Sequence, residues 1–258
     1  MNKRFENKVV IVTGAAGGIG LAAVKRFASE GAGVTVVDLP GTALDVAADA
    51  AKAAGGEALI VEADVTNPSD VQNYVDRTAE RFGGVDVLFN NAGIEGAVCP
   101  IEEYPLAEFE KVMAVNVTGV FLGMKSVVPA LRQRGGGAIV NTASVAGLSG
   151  NSMIPAYVAS KHAVVGLSRS GGQTYAAEGI RVNAICPSPV ETRMMRSLEA
   201  GLEAESLEAA KALMTASIPA GRYGSPEEVA ALVAFLSSDE AAFINGSVYT
   251  IDGAMTPH

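Results

Sequence analysis

Cysteine is nearly absent: Cys99 and Cys186 are the only two in 258 residues. No disulfide framework can be read from so few thiols, and both are expected to be packing residues of an intracellular chain. Basic residues are outnumbered, 19 Lys and Arg against 28 Asp and Glu, and they form no patch. The net charge of -9 works against phosphate backbones and anionic lipid, whose sequence-independent affinity needs Lys and Arg to neutralise phosphates. No 18 apolar residues run together, so no membrane-spanning helix is expected. The apolar run after the basic start Met1 to Lys8 covers only Val9 to Val12, which is too short for a signal peptide. The expectation is a cytoplasmic protein without nucleic-acid or membrane partners and without a metal-ligand set. A linker is also missing, because Gly135, Gly136 and Gly137 read as a helix-to-strand turn. Residues 1–258 are therefore expected to form a single domain.

What the chain has in quantity is aliphatic side chains. Hydrophobic residues make up 49% and aromatics 5%, which suits a sheet covered by helices on both faces. Strand-like runs at Val9–Val12, Val34–Val37, Ala58–Val61 and Val87–Phe89 alternate with helix-like segments at Ile19–Glu30, Thr42–Ala54 and Pro68–Phe82. The rhythm continues with a helical stretch from Phe109 to about Arg134, a run Ala138–Val140, a helical stretch Tyr157–Glu178 and a run Val182–Ile185. Strand, helix, strand repeated in this way predicts an α/β fold, a Rossmann-like doubly wound parallel sheet. About residues 191–216 the rhythm breaks. Met194, Met195, Leu198 and Leu202 stand there among five glutamates, before a last helix Pro226–Leu236 and a last strand Val248–Ile251. This insertion reads either as a substrate lid or as an acidic surface helix with a buried Met and Leu face.

The first strand runs into Thr13-Gly14-Ala15-Ala16-Gly17-Gly18-Ile19-Gly20 and then a helix, where a pyrophosphate would meet the helix N-terminus. Glycine leaves room there for phosphate and for close helix–strand contact. Gly14, Gly18, Ile19 and Gly20 are the expected cofactor contacts. Asp38 closes the second strand, eighteen residues past Gly20, where a carboxylate can accept from both adenosine ribose hydroxyls. It would repel a 2′-phosphate, and Ala15, Ala16 and Leu39 supply no cation to attract one, so NAD is expected over NADP. Asp64, with Val65, follows the third strand and is placed to reach the adenine; read alone it is a helix-entry residue.

Tyr157 and Lys161 are four apart on a helical stretch and share one face. A phenol is a poor base at neutral pH, but an adjacent ammonium and a cationic nicotinamide would favour phenolate. Lys161 is thus expected to lower the Tyr157 pKa. A Tyr-x-x-x-Lys pair also arises by chance; what separates the readings is its surroundings.

Taken in order, Thr13-Gly14-x-x-x-Gly18-x-Gly20, Asn90-Asn91-Ala92-Gly93, Asn116, Ser144, and Tyr157 with Lys161 resemble the motifs of the short-chain dehydrogenase/reductase family, and they span nearly the whole chain. The resemblance implies Tyr157 as general acid/base, Ser144 as hydrogen-bond donor to the reacting oxygen, Lys161 on the nicotinamide ribose and Asn116 holding a relay water. It also implies cofactor contacts at Asn91, Ala92 and Gly93, and at Pro187, Val190 and Thr192 after the sixth strand. Ser188 departs from the family's usual glycine, which predicts a more restricted backbone there. Substrate walls are expected from Ile94, Glu95, Val98, Val145, Met153, Met194 and Met195, mostly apolar, suiting a compact secondary alcohol or ketone. A local resemblance to bacterial enzymes of cyclohexane-type ketones and diols points to a cyclic one. Two alternatives stand beside this: a 3-oxoacyl-carrier-protein reductase, which should favour NADPH and a basic docking face, and a dinucleotide-binding regulator without turnover. The family also implies a homotetramer paired through the helices at Phe109–Arg134 and Tyr157–Glu178 and through the last helix and strand.

Overall fold

The computed structural model describes residues 3–201 and 206–256; Leu202 lies outside them. Seven strands form one parallel sheet: β1 Val9–Thr13, β2 Gly33–Asp38, β3 Glu57–Glu62, β4 Val87–Asn90, β5 Gly137–Thr142, β6 Ile180–Pro187 and β7 Val248–Ile251, in the order β3-β2-β1-β4-β5-β6-β7. The order reverses at β1, which pairs with β2 on one side and β4 on the other. Ligands of open α/β sheets bind beyond the carboxyl ends of the strands at such a point.

Alternation along the strands fills two cores. Val10, Val12 and Phe89 point to one face with Phe27, Leu44 and Val233, under helices α1 Gly18–Ser29, α2 Leu44–Ala53 and the last helix, Pro226–Ser237. Ile11 and Leu88, one residue out of phase, point to the other with Tyr74, Val127 and Val164, as a two-residue side-chain period requires. That face is covered by α3 Pro68–Phe82, α4 Leu106–Met113, α5 Gly119–Gln133 and α6 Pro155–Tyr175. Boundaries follow local chemistry. Pro68 occupies the first turn of α3 and Asn67 caps it through Ser69 N–H, 3.0 Å, while Gly83 ends it in the left-handed region.

Two expected helices are divided. The stretch Phe109–Arg134 begins earlier, at Leu106, and carries a π turn at Ala114–Thr118 between α4 and α5; the 3.6-residue apolar period cannot register one extra residue in a turn. From Leu106 to Gln133 this helical segment is long and apolar enough, by length and composition, to cross a membrane, although no uninterrupted apolar run announced it. Its apolar face is spent in the core, with Val112, Val120, Val127 and Leu131 buried. The stretch Tyr157–Glu178 starts at Pro155 and ends as a 3-10 turn, Ala176–Glu178.

The insertion folds as two helices, α7 Arg193–Ala200 and α8 Leu207–Ala216. Beneath them Met195, Ile218 and Tyr223 form a small separate core with Leu198, Met214 and Met255. The last helix, α9, follows with a capping box between Ser225 and Glu228.

Candidate active site

The turn after β1 is built so that backbones nearly touch. Gly14 sits at φ +65°, and a Cβ on Gly20 would stand 2.0 Å from the Gly14 carbonyl oxygen, so only glycine fits at position 20. No side chain caps the start of α1, which leaves its first N–H groups directed at the space beyond β1. Asn91 locks this turn to β4. Its side chain donates to the Thr13 and Gly14 carbonyls at 3.1 and 3.3 Å, and the Asn91 and Ala92 N–H groups donate to Thr13 Oγ1 at 2.9 and 3.1 Å. Asp38 is held at the same mouth, its carboxylate accepting from Ala16 N–H at 3.0 Å and Leu39 N–H at 2.9 Å.

Asp64 turns back on itself, accepting from the N–H and hydroxyl of Thr66, both at 2.8 Å, while its own N–H donates to Asp70. Val65 packs where a Cβ on Gly119 would meet it, at 2.9 Å, joining the end of β3 to the start of α5. On the far side Thr192 caps α7 and lies over the glycine turn, its Cγ2 3.0 Å from where a Gly18 Cβ would be. Val190 bridges to Gly224, and Pro187 closes β6. Ser188, where the family usually has glycine, is not among the residues with positive φ, and its N–H donates to the Ile251 carbonyl at 3.2 Å. The backbone here takes a conformation open to a serine.

Asn116, Ser144, Tyr157 and Lys161 converge from three segments, the last two sharing α6. Asn116 lies in the π turn, fully buried, with both side-chain donors used: Nδ2 donates to the Ile94 carbonyl at 2.9 Å and to Ser160 Oγ at 3.0 Å, while Oδ1 accepts from Ile94 N–H at 2.9 Å. Lys161 is buried; its Nζ donates to the Thr142 carbonyl at 2.7 Å and stands 5.4 Å from the Tyr157 ring centroid. Gly93 fits between them, since a Cβ there would be 3.2 Å from Asn116 Oδ1 and 3.5 Å from Lys161 Nζ. Ser144 follows β5 and accepts from Ala146 N–H at 3.2 Å. Ser160 and the Thr142 carbonyl escape sequence reading, the first because a small polar residue on a helix has no signature, the second because a backbone carbonyl has no letter.

Burial acts against the charged forms of both groups. It pushes the Tyr157 phenol up to about 12; the Ser144 hydroxyl pulls it down, and the negative charge of Glu95 and the Cys186 thiol add to the rise. Burial also brings the Lys161 ammonium down to about 8. At the tyrosine burial outweighs the Ser144 hydrogen bond.

The expected substrate walls are distributed unevenly. Ile94 to Val98 form one half-buried wall, held by Asn116 and by Cys99 N–H, which donates to the Met153 carbonyl at 2.8 Å. Val98 also meets the end of α7, 3.0 Å from where a Gly201 Cβ would stand. Val145 is buried behind Ser144, Met153 is exposed, and Met194 is half-buried. Met195 is buried in the small core under α7 and α8; a helix turns successive residues by about 100°, so adjacent methionines face different ways.

Compared with known proteins, residues 14–256 match a family model described as Enoyl-(Acyl carrier protein) reductase. The chain is 42% identical over 255 residues to levodione reductase of Leifsonia aquatica, covering 98% of this chain and 96% of that one. The chain belongs to the short-chain dehydrogenase/reductase family. Within that family it is also 42% identical to cyclohexanol dehydrogenase of Acinetobacter sp. strain SE19, over 99% of this chain and 98% of the other. The solved structure of NAD+-bound xylitol dehydrogenase has the same fold, with a TM-score of 0.92 at 37% identity over 97% of this chain and 99% of that one. As a short-chain dehydrogenase/reductase the chain is an oxidoreductase of alcohol and ketone substrates, in a family that uses NAD(P).

Proposed function

We propose that this enzyme interconverts a compact, cyclic secondary alcohol and its ketone by hydride transfer with NAD(H). The observation that carries the reading is the convergence of Ser144, Tyr157 and Lys161 beside the glycine turn, with Asp38 oriented at its mouth by Ala16 N–H. The residues present fit a dinucleotide. Gly14, Gly18, Ile19 and Gly20 with the open start of α1 take the pyrophosphate, the Asp38 carboxylate the adenosine ribose, and Asp64 and Val65 the adenine. Asn91, Ala92 and Gly93, with Pro187, Val190, Thr192 and Lys161, bound the nicotinamide end. When bound, the nicotinamide supplies or accepts the hydride.

The chain's own part is proton handling and orientation. In reduction Tyr157, protonated well beyond neutral pH, donates to the carbonyl oxygen while Ser144 donates a hydrogen bond to the same atom. In oxidation the Tyr157 phenolate takes the hydroxyl proton, which requires a positive charge close enough to offset the burial that holds the phenol near 12. With the Asn116 side chain spent on Ile94 and Ser160, a relay water falls to its main-chain carbonyl in the π turn. Glu95 serves as acceptor for a second substrate hydroxyl, with Met153 and Met194 as apolar walls.

Levodione reductase and cyclohexanol dehydrogenase among the relatives support the ring, and the NAD+-bound relative supports the cofactor. Asp38 and the excess of acidic residues argue against a carrier-protein substrate, and the complete catalytic set argues against a regulator without turnover. A cytosolic homotetramer completes the proposal. The test is absorbance at the reduced-nicotinamide band with NAD or NADP and a panel of cyclic alcohols and ketones. Turnover is expected with NAD; turnover with NADP alone, or with none of the panel, overturns the reading.

A further inference from the structure

The lid carries a charged cluster that the reaction does not use. Helix α7 spans the site from Thr192, over the glycine turn, to Gly201, against Val98 on the substrate wall. Near its C-terminal end the Glu199 carboxylate is fully buried, accepting from the Tyr223 hydroxyl at 2.9 Å and from Arg196 at 2.6 Å. Arg196 and Lys211, the latter on α8, both also reach Glu191, the residue before Thr192. The two cations stand over the Tyr223 ring, 5.9 and 5.2 Å from its centroid. Two carboxylates, two cations and one phenol thus join the bend at Glu191, both helices α7 and α8 and the returning chain, where Gly224 pairs with Val190.

A carboxylate without water is stable only while its partners stay in place. The arrangement favours one position of α7 over neighbouring ones, and α7 carries Met194 and meets Val98. We propose that Glu199 and Tyr223, with Arg196, are positioning residues that latch α7 over the substrate pocket and so set substrate affinity without taking part in proton or hydride transfer. This rests on the alcohol dehydrogenase reading above.

The experiment measures steady-state kinetics and melting temperature of the full-length protein and its Tyr223→Phe, Glu199→Gln and Val71→Ala variants. Val71 is buried in the core on the α3 face, far from the cluster in the fold, and its truncation reports plain loss of stability. The latch predicts that Tyr223→Phe and Glu199→Gln raise KM for the alcohol about tenfold with kcat within about twofold, and that Val71→Ala leaves KM unchanged. It is overturned if the two latch variants keep the wild-type KM, if their kcat falls as much as KM rises, or if Val71→Ala raises KM as they do. A wild-type protein that turns over no alcohol would instead refute the dehydrogenase reading, before any variant is compared.

Discussion

At the scale of single residues, the decisive group is the Tyr157 hydroxyl. Tyr157→Phe should retain NAD binding, measured by calorimetry, while turnover falls by about 10²- to 10⁴-fold, the usual worth of a positioned acid/base; wild-type rates would reassign the role. A phenol near 12 beside a lysine near 8 also fixes the sign of the pH profiles. Ketone reduction needs the protonated phenol and should be flat from about pH 6 to 8. Alcohol oxidation needs phenolate and should climb by up to about tenfold per pH unit across the same range. Initial rates in both directions across this range check it. Asp38→Ala should weaken NAD by about 10- to 100-fold, from loss of hydrogen bonds to a charged group, and NADP less; equal losses would show that Asp38 does not choose the cofactor. Tyr74 carries a different lesson. Its hydroxyl is fully buried with no partner, a situation that costs about 1–3 kcal/mol, so Tyr74→Phe should raise the denaturant midpoint.

At the scale of elements, strands and most helices were legible because strands are short continuous apolar runs, as in β1, whose Ile11 and Val12 enter opposite cores, while helices are longer and mixed, as in α3, whose bounds Pro68 and Phe82 coincide with those read from the sequence. The π turn at Ala114–Thr118 was not legible, since one inserted residue leaves composition untouched. It nevertheless places Asn116, whose side chain clamps Ile94 from both sides. Asn116→Leu should therefore damage both the pocket wall and turnover, read as a rise in KM together with a fall in kcat. Helix α7 shows the same division. Met194 and Met195 look alike as letters, and only packing sends Met195 beneath the helix.

At the scale of the whole molecule, apolar side chains remain on the outside. Phe121 on α5 is 48% exposed and Phe243, between α9 and β7, is fully exposed. Phe121 lies on, and Phe243 between, elements through which the tetramer is proposed, and association would bury them. Light scattering should give four chain masses, and Phe121→Asp should lower that number; a monomeric wild type would remove the assembly from the proposal.

The sequence by itself determined the wound parallel sheet and the family, because the alternation of short apolar runs with helix-like segments and the order of glycine, asparagine, serine, tyrosine and lysine along the chain are one-dimensional signals. Tertiary structure alone decided that Asn116 has no side-chain donor left for water, that Ser188 is not held at a positive φ, and that burial holds the Tyr157 phenol up and the Lys161 ammonium down. Each of these depends on which groups lie within a few ångströms and on how much water they keep, and neither distance nor solvation is written in the order of residues.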